Sequence, residues 1–417
     1  MTQLERVIAD VQAASRVLGR LPGHHRDAAL AEMADALERR ADEILRDNAL
    51  DVEAAKRAHT APALIDRLLL DEDRVRDMAE GIRAVAALPD PVGEVDGGRT
   101  LPNGLQIVRR RVPLGVVAVI YEGRPNVTAD AAALCLKSGN AVVLRGSRLA
   151  KRSNLIIAEV LTGALIEADV PRWSVALLGA DRDEMRRLVQ MEGALDLVIP
   201  RGGEELKSFL KEHARVPVIY AASGNNHVYV DAGADPEMAV KVVHNAKVQR
   251  PGVCNAAETL LVHRDAAPGI LPLLVERLAA SGVELRVDRA GLDILGEQAE
   301  GLAQVTDHDY ATEFLDLIMA VRVVDSLPAA LEHIARYGSG HSEAIVTSSL
   351  ASSREFQAGV DAAVVYVNAS TRFTDGGEFG MGAEIGISTQ KLHARGPIGL
   401  SELTTYTYHV TGDGHLR

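Results

Sequence analysis

The sequence predicts an α/β protein whose parallel sheets are covered by helices. Short runs of β-branched residues, the first at 116–120, alternate with segments of helical periodicity, which is typical of βαβ units. Of the 417 residues, 47% are hydrophobic and 25% charged, as in globular domains and unlike disordered or fibrous chains. This length is enough for roughly two or three domains.

The charge and the cysteine content exclude several classes of function. A formal net charge of −13 argues against a broadly basic surface for nucleic acid. Two cysteines, Cys135 and Cys254, are too few for a disulfide framework or a cysteine-rich zinc site, and we predict no metal site. No apolar run reaches the roughly 20 residues that span a bilayer, and the N-terminus lacks a signal-peptide pattern. We therefore expect a cytoplasmic protein with no membrane or nucleic-acid partner.

The N-terminal part predicts helices and then a hairpin. An apolar stripe recurs at helical spacing through Leu30, Met33, Leu37, Ala41 and Ile44. We therefore interpret the first 85 residues as a helical layer that packs on a sheet. Prolines and glycines punctuate residues 89–113, and this pattern predicts a protruding hairpin.

From residue 112 the predicted strands and helices follow one another regularly. Thr128 is a candidate N-cap for the helix after the first strand, and Gly139 a candidate terminator. We predict strands at 116–120, 141–144, 174–178, 195–199, 228–231, 258–262 and 404–410, and further helices near 153–167, 181–192 and 236–247. Residues 366–395 are rich in glycine and lack periodicity. A second α/β region is expected to begin after His227.

Familiar catalytic motifs are absent from the sequence. It contains no Gly-Lys pair for a P-loop, no His-Glu-x-x-His zinc pattern and no Gly-x-Gly-x-x-Gly after a strand. Cys135 lies on a predicted apolar helix, and we interpret it as a core residue. Cys254 follows a Pro-Gly pair on a predicted loop, where Arg250 and Lys247 would favour the thiolate. From these residues alone, Cys254 is either a reactive thiol or an inert loop cysteine.

Two turns after predicted strands concentrate groups suited to an anionic ligand. The turn after 141–144 holds a basic cluster of Arg145, Arg148, Lys151 and Arg152. In an open α/β sheet this position faces the ligand crevice, and a guanidinium can grip a phosphate with two hydrogen bonds. The turn after 195–199 reads Arg201-Gly202-Gly203, and glycines there let the backbone approach a pyrophosphate. The alternative interpretation of each turn is a solvated surface turn, which residue statistics alone favour.

Five segments of the chain, in order and in one register, form a specific pattern. They are VPLGVVAVIYEGRPNVT at 112–128, KSGNAVVLRGS at 137–147, IPRGG at 199–203, QRPGVCN at 249–255, and DGGEFG at 375–380 with its continuation to residue 400. Together they resemble the aldehyde dehydrogenase superfamily, and within it the γ-glutamyl phosphate reductase family. The resemblance implies an NADPH-dependent (NADP-linked) reduction of L-glutamyl 5-phosphate to L-glutamate 5-semialdehyde in proline biosynthesis, with release of phosphate.

The resemblance also implies roles for residues at matching positions. Cys254 matches the catalytic nucleophile. The implied cofactor ligands are Arg145 and Ser147 at the adenosine ribose and its phosphate, Arg201, Gly202 and Gly203 at the pyrophosphate, and Glu313 at the nicotinamide ribose. Arg124 and Asn126 lie in the loop that supplies the side-chain oxyanion donor, and the alignment leaves open which of them donates. The substrate's α-amino and α-carboxylate groups are expected at Arg124, Asn225, Asn226 or the 376–386 loop.

One departure from the superfamily favours a reductase. Oxidising aldehyde dehydrogenases carry a glutamate that activates water, whereas the corresponding stretch 221–227 reads AASGNNH and has no carboxylate. A reductase that starts from an acyl phosphate needs no such base. Two alternatives stay open, a hydrolytic NAD(P)-dependent aldehyde dehydrogenase and a non-catalytic homologue that acts as a binding protein.

The implied fold is aldehyde dehydrogenase-like, with a Rossmann-type cofactor domain and an α/β catalytic domain. The expected bounds are 1–92, 114–228 and 366–394 for the NADP-binding domain, 229–365 for the catalytic domain, and 93–113 with 395–417 for a β-hairpin oligomerisation flap. Superfamily members pair strands of the flap between subunits, and the alternating Tyr406 and Tyr408 fit an edge strand that needs a partner. We expect a homo-oligomer, with a dimer as first guess, and glutamate 5-kinase as a candidate partner.

Overall fold

The computed structural model describes residues 1–220 and 223–417. The helices are α1 (Gln3–Leu18), α2 (Gly23–Arg39), α3 (Ala41–Arg57), α4 (Pro62–Leu68), α5 (Glu72–Ala87), α6 (Asn126–Lys137), α7 (Lys151–Glu167), α8 (Arg182–Gln190), α9 (Glu204–His213), α10 (Pro236–Val248), α11 (Ala267–Ala279), α12 (Arg289–Leu295), α13 (Asp307–Tyr310), α14 (Leu327–Tyr337) and α15 (Leu350–Gly359). The 3₁₀ turns are Arg148–Ala150, Arg172–Ser174, Gly296–Ala299 and Thr371–Phe373.

The strands are β1 (Val95–Thr100), β2 (Gln106–Pro113), β3 (Val116–Tyr121), β4 (Ala141–Arg145), β5 (Val175–Leu177), β6 (Leu197–Arg201), β7 (Asn226–Val230), β8 (Ala257–His263), β9 (Glu284–Val287), β10 (Ala303–Gln304), β11 (Ile318–Val324), β12 (Ser342–Val346), β13 (Val364–Val367), β14 (Ile387–Ser388), β15 (Gly396–Pro397) and β16 (Thr404–Thr411). The predicted alternation of strands and helices from residue 112 is therefore confirmed.

The chain folds into two compact units. Unit 1 comprises Met1–Tyr220, Gly380–Gly386 and Ile398–Arg417, and unit 2 comprises Ala221–Phe379 and Ile387–Pro397. These bounds differ from the predicted domain boundaries at 228 and 366. β7 lies in unit 2 because it pairs with β8 and β12, and β13 lies there because it pairs with β12.

A helical layer forms the first part of unit 1. Leu30, Met33, Leu37 and Ile44 are fully buried, whereas Ala41, the first residue of α3, is half-buried. The predicted stripe therefore continues across the break between α2 and α3. Burying an aliphatic side chain of this size stabilises the fold by about 1.5–3 kcal/mol, so this face holds the helices together.

The main sheet of unit 1 is parallel, with the strand order β5-β4-β3-β6. Every residue of β3 is buried, as its continuous apolar sequence predicts. The chain runs outward from β3 through β4 to β5 and then returns to the other side of β3 with β6. This reversal makes the gap between β3 and β6 a topological switch point, where sheets of this kind bind ligands.

The helix between β3 and β4 corrects one prediction. α6 begins at Asn126, and Thr128 lies in its first turn rather than at the N-cap. The Thr128 hydroxyl is buried and lies 2.7 Å from the Tyr121 hydroxyl, so a tertiary contact takes the place of the expected cap. Gly139 has a φ of +77° directly after the helix, as predicted for a terminating glycine.

A second sheet of unit 1 contains the predicted hairpin. β1 pairs with β2, β2 pairs with β16, and both pairs are antiparallel. The guanidinium of Arg109, on β2, lies over the ring of Tyr406, on β16, at 4.8 Å from its centroid. β16 is an edge strand, and its residues from Thr405 onward are exposed.

The sheet of unit 2 has the order β10-β9-β11-β8-β7-β12-β13, and all its pairs are parallel. α10 and α11 pack on one face, and their apolar residues form a core with those of β7, β8 and β11. Among the described residues, no helix combines the length and apolar character needed to cross a membrane.

Candidate active site

Three loops of unit 1 meet at the carboxyl edge of its parallel sheet. They follow β3, β4 and β6, and they carry most of the predicted cofactor ligands together with Arg124 and Asn126. Tyr121 and Arg201 pair at the ends of β3 and β6. The Gly123 amide donates to the Ser147 hydroxyl at 3.2 Å, which ties the loop after β3 to the loop after β4.

The predicted adenosine-phosphate ligands line a cleft of about 300 Å³ in unit 1. Its polar lining residues are Glu122, Arg145, Ser147, Arg148, Arg182 and Glu205. Nη2 of Arg145 donates to the Ala180 carbonyl at 2.9 Å, whereas its buried Nε has no hydrogen-bond partner among the described residues. Burial lowers the pKa of Arg145, and the Glu122 and Asp181 charges oppose that shift. These cations fit a phosphate-bearing group.

Glu122 holds the glycine turn after β6. Its carboxylate accepts a hydrogen bond from the Gly203 amide at 3.2 Å, directly before α9. A Cβ on Gly202 would lie 2.7 Å from the Glu122 carboxyl carbon and 2.8 Å from the Leu206 side chain, so a larger residue would displace these side-chain ends. Sequence reasoning missed Glu122, although its position two residues before Arg124 in the 112–128 motif was a signal.

Asn126 is paired with a carboxylate one helical turn away. Its Nδ2 donates to the Asp130 carboxylate at 2.9 Å, at the i, i+4 spacing that brings two side chains together on a helix. Burial raises the pKa of Asp130 to about 6, while the Asn126 hydrogen bond and the Arg201 charge act in the opposite direction. Asp130 therefore orients the amide of Asn126.

In unit 2, three loops enter neighbouring parallel strands at their amino ends. They are the loops before β7, β8 and β11, and they carry Gly224, Cys254 and Glu313. Asn226 pairs with Ala257, and Ala320 pairs with Thr259, so the strands bring these three loops to one edge of the sheet. Cys254 is half-buried, in contrast to the fully buried Cys135.

Gly224 packs directly against the peptide of the candidate nucleophile. A Cβ on Gly224 would lie 1.5 Å from the Cys254 carbonyl oxygen, so no other residue fits without moving this loop. The Gly224 amide donates to the Glu313 carboxylate at 2.6 Å. The structure thus places both Glu313 and the Cys254 peptide against Gly224. Ala221 and Ala222, which precede this segment in the stretch without a carboxylate, lie outside the described residues.

The two asparagines predicted to bind substrate are buried, and their side-chain amides donate hydrogen bonds to backbone carbonyls. Nδ2 of Asn226 donates to the carbonyls of Cys254 at 2.8 Å and Ala256 at 2.7 Å. Nδ2 of Asn225 donates to the carbonyls of Tyr310 at 2.7 Å and Tyr337 at 2.8 Å. These bonds position the Cys254 loop and its neighbours, and a substrate-binding role for either amide stays a prediction.

Lys247 has a different partner from the one expected. Its ammonium group donates to Glu258 at 2.6 Å, and both side chains are fully buried. The charge of Lys247 is therefore balanced by Glu258 rather than directed at the thiol. Burial raises the pKa of Glu258 to about 7, although Lys247 opposes the shift. Glu258, at the start of the predicted buried strand 258–262, was the signal in the sequence that a cation must lie nearby, and it was missed.

His227 is fully buried beside Glu343 on the neighbouring strand β12. Its backbone amide donates to the Glu343 carboxylate at 2.7 Å, and its Nδ1 lies 3.0 Å from the same oxygen. The ring packs edge-on against His333 with centroids 5.3 Å apart. These contacts give His227 a structural role.

The comparisons with known proteins agree with this arrangement. The model of the aldehyde dehydrogenase family matches residues 1–291. Gamma-glutamyl phosphate reductase of Moorella thermoacetica is 55% identical over 405 residues, covering 97% of this chain and 96% of the relative. The enzyme of the same name from Thermoanaerobacter pseudethanolicus is 51% identical over 416 residues, covering 100% of both chains.

A solved structure extends the likeness to the whole fold. The crystal structure of gamma-glutamyl phosphate reductase from Thermotoga maritima superposes with a TM-score of 0.97 at 45% identity, and the match covers 100% of both chains. The chain therefore belongs to the aldehyde dehydrogenase family and, within it, to the γ-glutamyl phosphate reductases.

Proposed function

We propose that this chain reduces L-glutamyl 5-phosphate to L-glutamate 5-semialdehyde with NADPH and releases phosphate, a step of proline biosynthesis. The observation that supports it most directly is Cys254, on a loop held by Asn226 and Gly224, with no carboxylate in residues 221–227 to activate water. Among the described residues, Glu258 is engaged with Lys247 and Glu313 with the Gly224 amide.

Cys254 performs the covalent chemistry in this proposal. Its thiolate attacks the acyl carbon, the bond from that carbon to the phosphate oxygen breaks, and the electron pair leaves with phosphate. The product is a thioester on Cys254. After reduction of the acyl carbon, the carbonyl re-forms, the C–S bond breaks and the thiolate of Cys254 is regenerated. Without a positioned base, water competes poorly for the thioester.

The backbone amide of Cys254 and a side-chain donor, Asn126 or Arg124, are the proposed groups that stabilise the oxyanion. Removal of one such donor typically costs about 100- to 1,000-fold in rate. Asp130 supports the choice of Asn126, because it fixes the orientation of that amide.

Members of the aldehyde dehydrogenase family use nicotinamide cofactors. We propose NADPH, with Arg145 and Ser147 at its adenosine ribose phosphate, Arg201, Gly202 and Gly203 at the pyrophosphate, and Glu313 at the nicotinamide ribose. The cofactor, when bound, supplies the hydride that reduces the acyl carbon. Arg148, which lines the same cleft as Arg145, adds positive charge that favours the phosphorylated cofactor, whereas Arg182 in that cleft is paired with Glu205.

The decisive assay runs the reaction in reverse with L-glutamate 5-semialdehyde, NADP⁺ and phosphate, and follows NADPH absorbance. We expect NADPH to form only when phosphate is present, and Cys254→Ala to abolish turnover while NADPH still binds. NADPH formation without phosphate would favour a hydrolytic aldehyde dehydrogenase. Normal turnover by Cys254→Ala would contradict the thioester mechanism.

We also propose that the sheet of β1, β2 and β16 joins two copies of this chain into a homodimer. The exposed edge of β16 supports this, because an unpaired strand edge is a template for a partner strand. Direct association with glutamate 5-kinase stays a prediction.

A further inference from the structure

We call residues 249–256, which contain Cys254, the nucleophile loop. The turn Thr371–Phe373 in unit 2 is hydrogen-bonded to this loop on both sides of Cys254. After the cysteine, Nδ2 of Asn255 donates to the carbonyls of Arg372 at 3.2 Å and Thr374 at 3.0 Å. The Thr371 hydroxyl in turn donates to the Asn255 carbonyl at 2.7 Å. Before the cysteine, Nε of Arg372 donates to the side chain of Gln249 at 2.8 Å. The position of Arg372 relative to Cys254 is therefore set by hydrogen bonds.

Only the Nε–H donor of the Arg372 guanidinium is used by a hydrogen bond within the described part of unit 2. Within the described part of unit 2, its two terminal amino groups have no hydrogen-bond partner, and neither Arg372 nor Arg250 forms an ion pair. Burial lowers the pKa of Arg372 and the neighbouring Arg250 lowers it further, whereas Asp375 and Cys254 oppose the shift. Two cations thus lie on the segments that flank the thiol, Arg372 half-buried and Arg250 exposed, and a bound anion would offset the repulsion between them.

The chemistry of the substrate defines which anion belongs there. In an acyl phosphate, the phosphoryl group is bonded through one oxygen to the carbon that the thiolate attacks. Its negative charge must therefore lie within a few ångströms of Sγ, and it increases on the bridging oxygen as the C–O bond breaks. A guanidinium at that position binds the ground state and stabilises the leaving group as well.

We propose that Arg372, with Arg250 as a second cation, binds the phosphoryl group of the substrate, an inference that rests on the proposed function. As the S–C bond forms, the C–O bond breaks and its electron pair moves to the phosphate oxygen beside Arg372. The departing phosphate then takes a proton from solvent. In the reverse direction the same residues bind inorganic phosphate for attack on the thioester.

The test compares Arg372→Gln and Arg372→Lys with the wild type, and Arg264→Gln serves as a control because Arg264 is exposed and pairs with Asp325. In the reverse assay, Arg372→Gln should raise the KM for phosphate by about tenfold or more, the loss expected for a charged hydrogen bond. The KM for the semialdehyde should stay within about threefold. Arg372→Lys should recover part of the phosphate affinity, and Arg264→Gln should behave as wild type.

A second measurement is independent of turnover. Inorganic phosphate should slow the alkylation of Cys254 by iodoacetamide in the wild type, and Arg372→Gln should need about tenfold more phosphate for the same protection. If Arg372→Gln fails to fold, Arg372→Lys and Arg250→Gln serve in its place, with smaller shifts in the same direction.

Two results would overturn the inference while leaving the proposed function intact. One is an unchanged phosphate KM and unchanged protection in a folded variant that still requires phosphate. The other is a raised KM for the semialdehyde alone, which would assign Arg372 to the α-carboxylate. Wild-type turnover without phosphate would instead overturn the proposed function and this inference together.

Discussion

Glu258 accepts a hydrogen bond from Lys247 at 2.6 Å, and both side chains are fully buried. The other carboxylate oxygen accepts from the Leu315 amide at 3.3 Å. One carboxylate on β8 thus connects the end of α10 with the loop that carries Glu313. Because the nucleophile loop lies between Lys247 and Glu258 in the sequence, this ion pair also closes the base of that loop.

Removal of the cation should destabilise the fold. Lys247→Met keeps a long unbranched side chain but removes the ammonium group and leaves Glu258 buried without its partner, and the expected loss of unfolding free energy at pH 8 is about 3 kcal/mol. The double variant Lys247→Met/Glu258→Gln should recover at least half of this loss. Urea unfolding followed by circular dichroism checks both, and an unchanged midpoint in the single variant would contradict the role of the pair.

The free energy of unfolding of Lys247→Met should fall as the pH rises. Burial raises the pKa of Glu258 to about 7 from its ordinary 4.5, so the folded chain holds the proton more tightly than the unfolded chain. This contribution is full below about pH 4.5 and is lost as the pH rises through about 7. Removal of Lys247 takes away the charge that lowers the pKa of Glu258, so this pKa should rise further. Lys247→Met should therefore lose stability relative to the double variant as the pH rises from about 5.5 to 8. A difference that does not change with pH would refute this.

Gly224→Ala should misplace the nucleophile. The new Cβ would lie 1.5 Å from the Cys254 carbonyl oxygen, so the loop must move, and displacements of this order cost about 100-fold in rate. The readout is kcat in the reverse assay, with folding verified by circular dichroism. Gly269→Ala in α11 is the matched control, because its Cβ meets nothing within 4 Å. It should keep full activity and gain about 0.5–1 kcal/mol of stability.

Arg145→Gln should weaken the binding of NADPH more than that of NADH. Glutamine keeps a polar side chain at this position but loses the charge for the ribose phosphate and the hydrogen bond to the Ala180 carbonyl. We expect the KM for NADPH to rise about tenfold and that for NADH to stay within about threefold. Arg6→Gln, on the exposed face of α1, is the control. Equal effects on both cofactors would assign Arg145 another role.

Charge on the face of β16 should break the proposed dimer. Tyr406, Tyr408 and Val410 alternate along this strand and are each at least half exposed. Tyr408→Lys combined with Val410→Lys should shift the chain from dimer to monomer in light scattering, because like charges then meet across the interface. Arg264→Gln, at an exposed residue of unit 2 outside this sheet, should leave the dimer intact. A wild-type chain that is monomeric throughout would refute the interface.

The sequence predicted the elements well where local pattern decides them. The buried strand β3 follows from its unbroken apolar run, and the end of α6 follows from Gly139. Thr128 was assigned wrongly because its hydroxyl has a tertiary partner, Tyr121, which capping rules do not consider. Arg372 was overlooked for a related reason, since nothing in a glycine-rich segment without periodicity indicates which distant loop it contacts.

By itself, the sequence determined the family, the order of strands and helices from residue 112 to 263, and the choice of Cys254 over Cys135 as the candidate nucleophile. It did not predict the individual strands β9 to β13. The tertiary structure decided how the polar groups around that nucleophile are used. Asn226 binds the Cys254 carbonyl, Lys247 pairs with Glu258, and Thr371 binds the peptide that follows the cysteine. The physical reason is that parallel strands and their connecting loops bring together residues up to 123 positions apart at this site, as for Gln249 and Arg372. Sequence patterns that extend over a few residues cannot predict contacts between residues so far apart in the chain.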